Sequence, residues 1–320
     1  MHKLSLILLL FLLIPALYCH AQVRDSVTLI TPTGTIYGTL TYPKSMVKVK
    51  VPLVIIIPGS GPTDRNGNNG QMSSNTLRIL SDSLAKYGIA SLRYDKRGIA
   101  MSRGAAPNEA NLRFMTYVDD VKDWVSKYKK DKRFESIFIL GHSEGSLIGM
   151  IAASSAPVAG YISVAGAGKP ADQLMLDQLE KQATPTFLDS CKYLFGEIRK
   201  NGSVSPVPNG LYQMYFRKSV QPYIASWIKY DPAVEIAKVK VPVLILQGTR
   251  DLQVDTIQAR MLANAKPDAQ FKIIPDMNHI FRDVKTDDPG DNIGSYYDGK
   301  MPINSDFVRA VMAFIRSNLK

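Results

Sequence analysis

The residues able to do chemistry are few and ordered along the chain. Ser143 stands in Gly141-His142-Ser143-Glu144-Gly145, a G-x-S-x-G pentapeptide. A serine hydroxyl is a weak nucleophile and needs a neighbouring base, most often histidine. The chain has 4 histidines. His2 and His20 lie in an N-terminal segment with the marks of a signal peptide, and His142 precedes Ser143 on the turn, where its side chain is expected to point away from the reaction face. His279, in Pro275-Asp276-Met277-Asn278-His279, is left as general base. A base needs an acid to hold its tautomer and stabilise the imidazolium. Asp251, in Gly248-Thr249-Arg250-Asp251, is the assignment. Asp255 reads instead as a helix cap, and Asp276 is too near His279 in sequence to reach around its ring. Such a set performs acyl transfer, whose developing oxyanion needs backbone N–H donors. Glu144 N–H, at a helix start, is one. The second comes from Pro58-Gly59-Ser60-Gly61-Pro62; its prolines have no N–H, so Ser60 is favoured, with Gly61 second.

An isolated G-x-S-x-G carries little information, and its weight comes from the elements around it. Ser136 to Leu140 is a short apolar run that reads as a buried strand, and Ser146 to Ala153 has helix length and small residues. Strand, tight turn and helix place the serine on strained backbone, where residues two before and two after must lack colliding side chains. Upstream, residues 27–42 alternate around Pro32-Thr33-Gly34 as a hairpin. Residues 51–57 form an apolar strand, 74–87 a helix, 89–94 a strand, 112–130 a helix and 159–164 a strand. The alternation then pauses. Helical patterns at 174–182, 187–199 and 211–229 predict an inserted helical cap at about 170–240. Strand 241–247, helix 256–264, strand 270–274 and helix 306–317 complete an α/β chain, a mostly parallel, doubly wound sheet with helices on both faces. The segment between His279 and the last helix, with Tyr296-Tyr297, is placed to fold over the pocket.

Lys3, the apolar residues 4–13 and Cys19-His20-Ala21 make up a signal peptide at residues 1–21, cleaved after Ala21, so the expected location is periplasmic or secreted. Acylation of Cys19 is the lesser reading, because Leu17 and Tyr18 are bulky for that signal. The apolar run is too short to span a membrane. Residues 22–320 form one domain large enough to stand on its own core, with Cys191 as a buried hydrophobe and no internal disulfide. The formal net charge is +11, but no Arg-rich arm or aromatic-basic alternation points to nucleic acid. No ligand cluster suggests a metal or other cofactor.

The Gly141–Gly145 elbow, the Gly59 loop and the order Ser143, Asp251, His279 resemble the α/β-hydrolase fold. More narrowly, Pro58-Gly59-Ser60-Gly61-Pro62-Thr63-Asp64-Arg65-Asn66, Arg93-Tyr94-Asp95-Lys96-Arg97-Gly98 and the elbow resemble bacterial carboxylesterases related to serine aminopeptidase and dipeptidyl-peptidase-like hydrolases. That resemblance implies a cofactor-independent serine hydrolase acting on a small-molecule ester, with short acyl chains as the expected substrates. Pro58 stands where many relatives have His before the glycine. Gly61, the Glu144 side chain and Arg97 are candidate substrate contacts; Glu144 could meet a polar or cationic group or simply favour the helix N-terminus, and Arg97 could instead brace its loop in a salt bridge. An aminopeptidase-like activity is the alternative and would need a carboxylate, Glu144 or Glu180, for the substrate ammonium. A non-catalytic binding protein on the same fold is the third reading. Oligomeric state is not legible.

Overall fold

A computed structural model describes residues 22–44 and 49–319. The signal peptide expected at residues 1–21, with Cys19, lies outside the described residues. Eight strands form one sheet in the order β1-β2-β4-β3-β5-β6-β7-β8: β1 (Gln22–Thr31), β2 (Gly34–Pro43), β3 (Val51–Ile57), β4 (Ala90–Tyr94), β5 (Phe134–His142), β6 (Gly160–Val164), β7 (Val243–Gly248) and β8 (Gln270–Ile274). β1 and β2 are an antiparallel hairpin at one edge, and β2 runs antiparallel to β4. From β4 to β8 all neighbours are parallel.

Parallel strands need helical crossovers, which cover both faces of the sheet. β3 records this in its side chains. Val54 and Ile56 pack in one layer with residues of α1 (Thr76–Lys86) and α11 (Ser305–Ser317). Leu53, Ile55 and Ile57 face the opposite layer with α2 (Phe114–Lys129), α3 (Glu144–Ala153) and α9 (Thr256–Ala265). Every residue of β3 is buried, which is why its apolar run is continuous and does not alternate. The strand order reverses at β3: β4 lies on one side and β5 on the other. At such a switch point the two crossovers diverge and leave a crevice beyond the carboxyl ends of the strands. Ser60 follows β3 and Ser143 follows β5.

Between β6 and β7 lie five helices: α4 (Ala171–Glu180), α5 (Pro185–Asn201), α6 (Tyr212–Phe216), α7 (Gln221–Trp227) and α8 (Pro232–Ala237). The single helix expected over 211–229 is broken into α6 and α7. Pro222 is the cause, since it has no N–H to continue a helix and its ring would clash with the carbonyl four residues back; it sits instead in the first turn of α7. The Gln221 side chain bridges the break by donating to the Phe216 carbonyl at 2.7 Å. α8 and α10 (Pro289–Gly294), each 6 residues long, have too few turns to show a period in the sequence. Cys191 is buried on α5. No helix of the described residues is long and apolar enough to cross a membrane.

Candidate active site

The turn after β5 holds Ser143 at φ 55°, ψ −119°, a conformation that costs a non-glycine residue on the order of 1–3 kcal/mol and persists only where packing enforces it. The enforcement is visible. Ser143 N–H donates to the Val164 carbonyl at 3.0 Å, tying the turn to the end of β6. A Cβ on Gly141 would lie 2.1 Å from the Gly145 carbonyl oxygen, and one on Gly145 would lie 2.5 Å from that of Ile57. Both obstacles are backbone and cannot swing aside. Gly141→Ala is therefore expected to destabilise the fold by about 3 kcal/mol or more, as read from the urea midpoint at constant m-value.

His279 and Asp251 come from the loops after β8 and β7. His279 Nδ1 lies 2.8 Å from Asp251 Oδ2. Asp251 is itself held: Oδ1 accepts from the N–H groups of Gln253 at 2.8 Å and Val254 at 2.9 Å, and Oδ2 also accepts from Gln247 Nε2 at 2.9 Å. Burial alone would push this carboxyl up. The charge and hydrogen bond of His279, with the donors from Val254 and Gln247, outweigh burial and hold its pKa below the ordinary value. An ionised carboxylate can only accept, so Nδ1 carries a proton, and in the neutral ring the lone pair is the one on Nε2.

His142 is not turned away from this machinery, as its place on the turn suggested. Its ring packs 4.7 Å from the His279 ring and 4.8 Å from Phe281, and its Nε2 lies 2.9 Å from the His279 carbonyl oxygen, to which it donates. Burial, reinforced by His279, drives its pKa down to about 3, so it remains neutral. An unfolded histidine protonates near pH 6.5, so stability is intact above that pH and falls as pH drops from about 6.5 toward 3. Between pH 6.5 and 4.5 this is expected to remove about 2 kcal/mol from wild type, the slope reaching about 1.4 kcal/mol per pH unit only well below pH 6.5. His142→Gln, which keeps a donor without a titrating ring, should lack that part of the slope in urea unfolding measured against pH.

Two cavities meet at Ser143. One is bordered by Ser143, Leu147, Leu174, Met175, Trp227 and Val254, so α4 and α7 form part of its wall. The other is bordered by Gly59, Ser60, Ser143, His279, Ile280 and Tyr296. The segment after His279 thus does reach the pocket, through Tyr296. Among the described residues, neither Ser60 N–H nor Glu144 N–H has a protein acceptor, and both residues border the first cavity.

The other candidate contacts are placed differently. Gly61 is exposed and borders neither cavity. Arg97 is buried away from Ser143: it pairs with Asp120 on α2, with Nε at 3.0 Å from Oδ2, and donates to Thr31 Oγ1 at 3.0 Å. It braces the β4 loop against the edge hairpin and borders neither cavity at Ser143. The Glu144 carboxylate borders the first cavity but is already engaged, with Lys96 Nζ 2.6 Å from Oε2 and the Tyr223 hydroxyl donating to Oε1. Lys96 lies in Asp95-Lys96-Arg97-Gly98, which reads in sequence as a salt-bridged loop support, but nothing local marks the lysine as buried, and nothing in the sequence singles out Tyr223. Asp255 caps α9 through the Ile257 and Gln258 N–H groups. Among the described residues no group of three His, Cys, Asp or Glu side chains could hold a metal ion.

A mostly parallel eight-stranded sheet, with the strained Ser143 turn after β5 and Asp251 and His279 in the loops after β7 and β8, defines the class: this chain has the α/β-hydrolase fold. The family model for serine aminopeptidase, S33, matches residues 70–217, a stretch that contains Ser143 and ends before Asp251 and His279. In sequence the chain is similar to esterase EstD of Thermotoga maritima, 24% identical over 256 residues, covering 76% of this chain and 57% of that protein, so it spans little more than half of that relative. In structure it is similar to Est1E from Butyrivibrio proteoclasticus, with TM-score 0.57, 16% identity and coverage of 91% of this chain and 99% of that one. The α/β hydrolase GrgF from Penicillium sp. sh18 superposes with TM-score 0.60 at 18% identity, covering 92% and 99% of the two chains.

Proposed function

We propose that this protein is an exported serine carboxylesterase that hydrolyses short-chain acyl esters through Ser143, His279 and Asp251. The observation that carries the reading is the state of His279. Its Nδ1 proton is committed to Asp251, while its ring borders the same cavity as Ser143. In the proposed reaction Nε2 takes the Ser143 proton as Oγ attacks the ester carbonyl, and the oxyanion is received by the N–H groups of Ser60 and Glu144. The imidazolium then protonates the departing alcohol, so the alcohol belongs on the His279 side and the acyl chain in the apolar cavity walled by Leu147, Leu174 and Trp227. Water, activated by the same ring, clears the acyl-enzyme. Helices α4 to α8 act in this reading as the cap. The relatives named as esterases favour ester over amide. So does the pairing of Glu144 with Lys96, which leaves no free carboxylate there for a substrate ammonium; Glu180 is exposed and borders neither cavity.

The test is hydrolysis of p-nitrophenyl esters from acetate to laurate by residues 22–320, alongside aminoacyl p-nitroanilides. Turnover concentrated on the short esters is expected. Turnover of the anilides alone would replace esterase by aminopeptidase, and turnover of neither would remove the enzymatic reading. Export rests on the N-terminal sequence and predicts that the mature protein recovered from outside the cytoplasm begins at Gln22.

A further inference from the structure

Lys96 is buried, with 2% of its surface exposed, in the loop after β4. It serves neither the hydrophobic layers nor the Ser143, His279, Asp251 set. Its ammonium has three partners from three other elements. Nζ donates to the Gly59 carbonyl oxygen at 2.8 Å, pairs with Glu144 Oε2 at 2.6 Å, and sits 5.0 Å above the centre of the Tyr117 ring on α2. Gly59 O and Ser60 N–H belong to one planar trans peptide unit, so they point in opposite directions. Whatever holds that oxygen on one side aims the Ser60 N–H to the other, toward the cavity it shares with Ser143. The second partner carries the second N–H: Glu144 is both the counter-ion of Lys96 and the residue whose amide opens α3.

The charge balance points the same way. A free carboxylate on the residue next to the nucleophile would oppose the negative charge that grows on the substrate oxygen, and the neighbouring ammonium offsets it. The Tyr223 hydroxyl donates to the other Glu144 oxygen; burial first, and then the charge of Glu144, push the phenol pKa well up, so it stays a donor. Tyr223 is on α7, two elements away from the sheet loops, and α7 also supplies Trp227 to the cavity wall.

We propose that Lys96 is a positioning residue that holds both oxyanion amides in register, with Glu144 as its counter-ion and Tyr223 as the tie to α7. The inference rests on the acyl-transfer reading of the site. Lys96→Met alone would strand a buried carboxylate and could unfold the protein, so the decisive variant is Lys96→Met with Glu144→Gln, checked for folding by circular dichroism and Tm. In this variant kcat on p-nitrophenyl butyrate is expected to fall on the order of 10²-fold, the loss typical of removing one oxyanion donor, with KM little changed. The inhibition constant of an alkyl boronic acid, which forms a tetrahedral adduct on a serine, should rise by the same factor. A role in stability alone would lower Tm without that parallel change. A folded variant with kcat within about threefold of wild type, or a loss carried by KM with boronate inhibition unmoved, would overturn the proposal.

Labelling by a fluorophosphonate separates this proposal from the functional reading. If wild type is labelled at Ser143 yet turns over no ester, the ester reading fails. The Lys96 proposal is then decided by the ratio of labelling rates, which should show the same loss. Wild type inert to both reagents would overturn both.

Discussion

Ser143→Ala is expected to lower kcat/KM on the preferred p-nitrophenyl ester by about 10⁵-fold while leaving the fold intact. The size follows from what the hydroxyl does in the proposed reaction. Without Oγ there is no acyl-enzyme, and His279 has no proton to take. What remains is the capacity of the two amides to bind a carbonyl that water must attack unaided. The elbow does not depend on the side chain: Ser143 N–H bonds to Val164 O through the backbone, and the tight fit of Gly141 against Gly145 is unaffected. Tm should therefore stay close to wild type. The check is steady-state turnover with active-site titration, since a trace of contaminating esterase would otherwise set the apparent floor. A folded variant retaining a tenth of the activity or more would move the nucleophile elsewhere.

Asp251→Asn is expected to cost about 10⁴-fold in kcat, through the tautomer of His279. The backbone amides of Gln253 and Val254 both donate to Oδ1, and neither can turn around. The asparagine carbonyl must take that position, so its NH₂ takes the place of Oδ2 and faces His279 Nδ1 and Gln247 Nε2. Two donors cannot face each other. His279 then accepts at Nδ1 and carries its proton on Nε2, the atom that in the proposed reaction must be free to take the Ser143 proton. KM should change far less than kcat, because Asp251 borders neither cavity at Ser143. An Asp251→Asn enzyme within about tenfold of wild type would mean that another carboxylate orients the ring.

Most of the sheet was legible because each strand is written in local terms. A run such as Val51 to Ile57, apolar on both faces, has few uses other than a central parallel strand, and β3 is buried throughout. The elbow was legible for a related reason: its two glycines are demanded by contacts within five residues and with the neighbouring strand. Elements of one or two turns were not, because α8 and α10 are too short to display a period, and apolar residues that continue across Pro222 mask the break between α6 and α7.

What the sequence by itself determined is the order and kind of groups presented at the sheet edge: a serine after β5, an aspartate after β7, a histidine after β8. Strand, turn and helix are local decisions, and the carboxyl ends of parallel strands lie side by side wherever the sheet forms. Only the tertiary structure decided what the charged residues there do. Arg97 and Asp120 are 23 residues apart, Lys96 and Glu144 are 48, and Tyr223 and Glu144 are 79. An ammonium and a carboxylate at such separations reveal nothing until packing removes the water between them. Burial then compels each charge to find a partner, and so a candidate substrate contact, Glu144, became the anchor of Lys96.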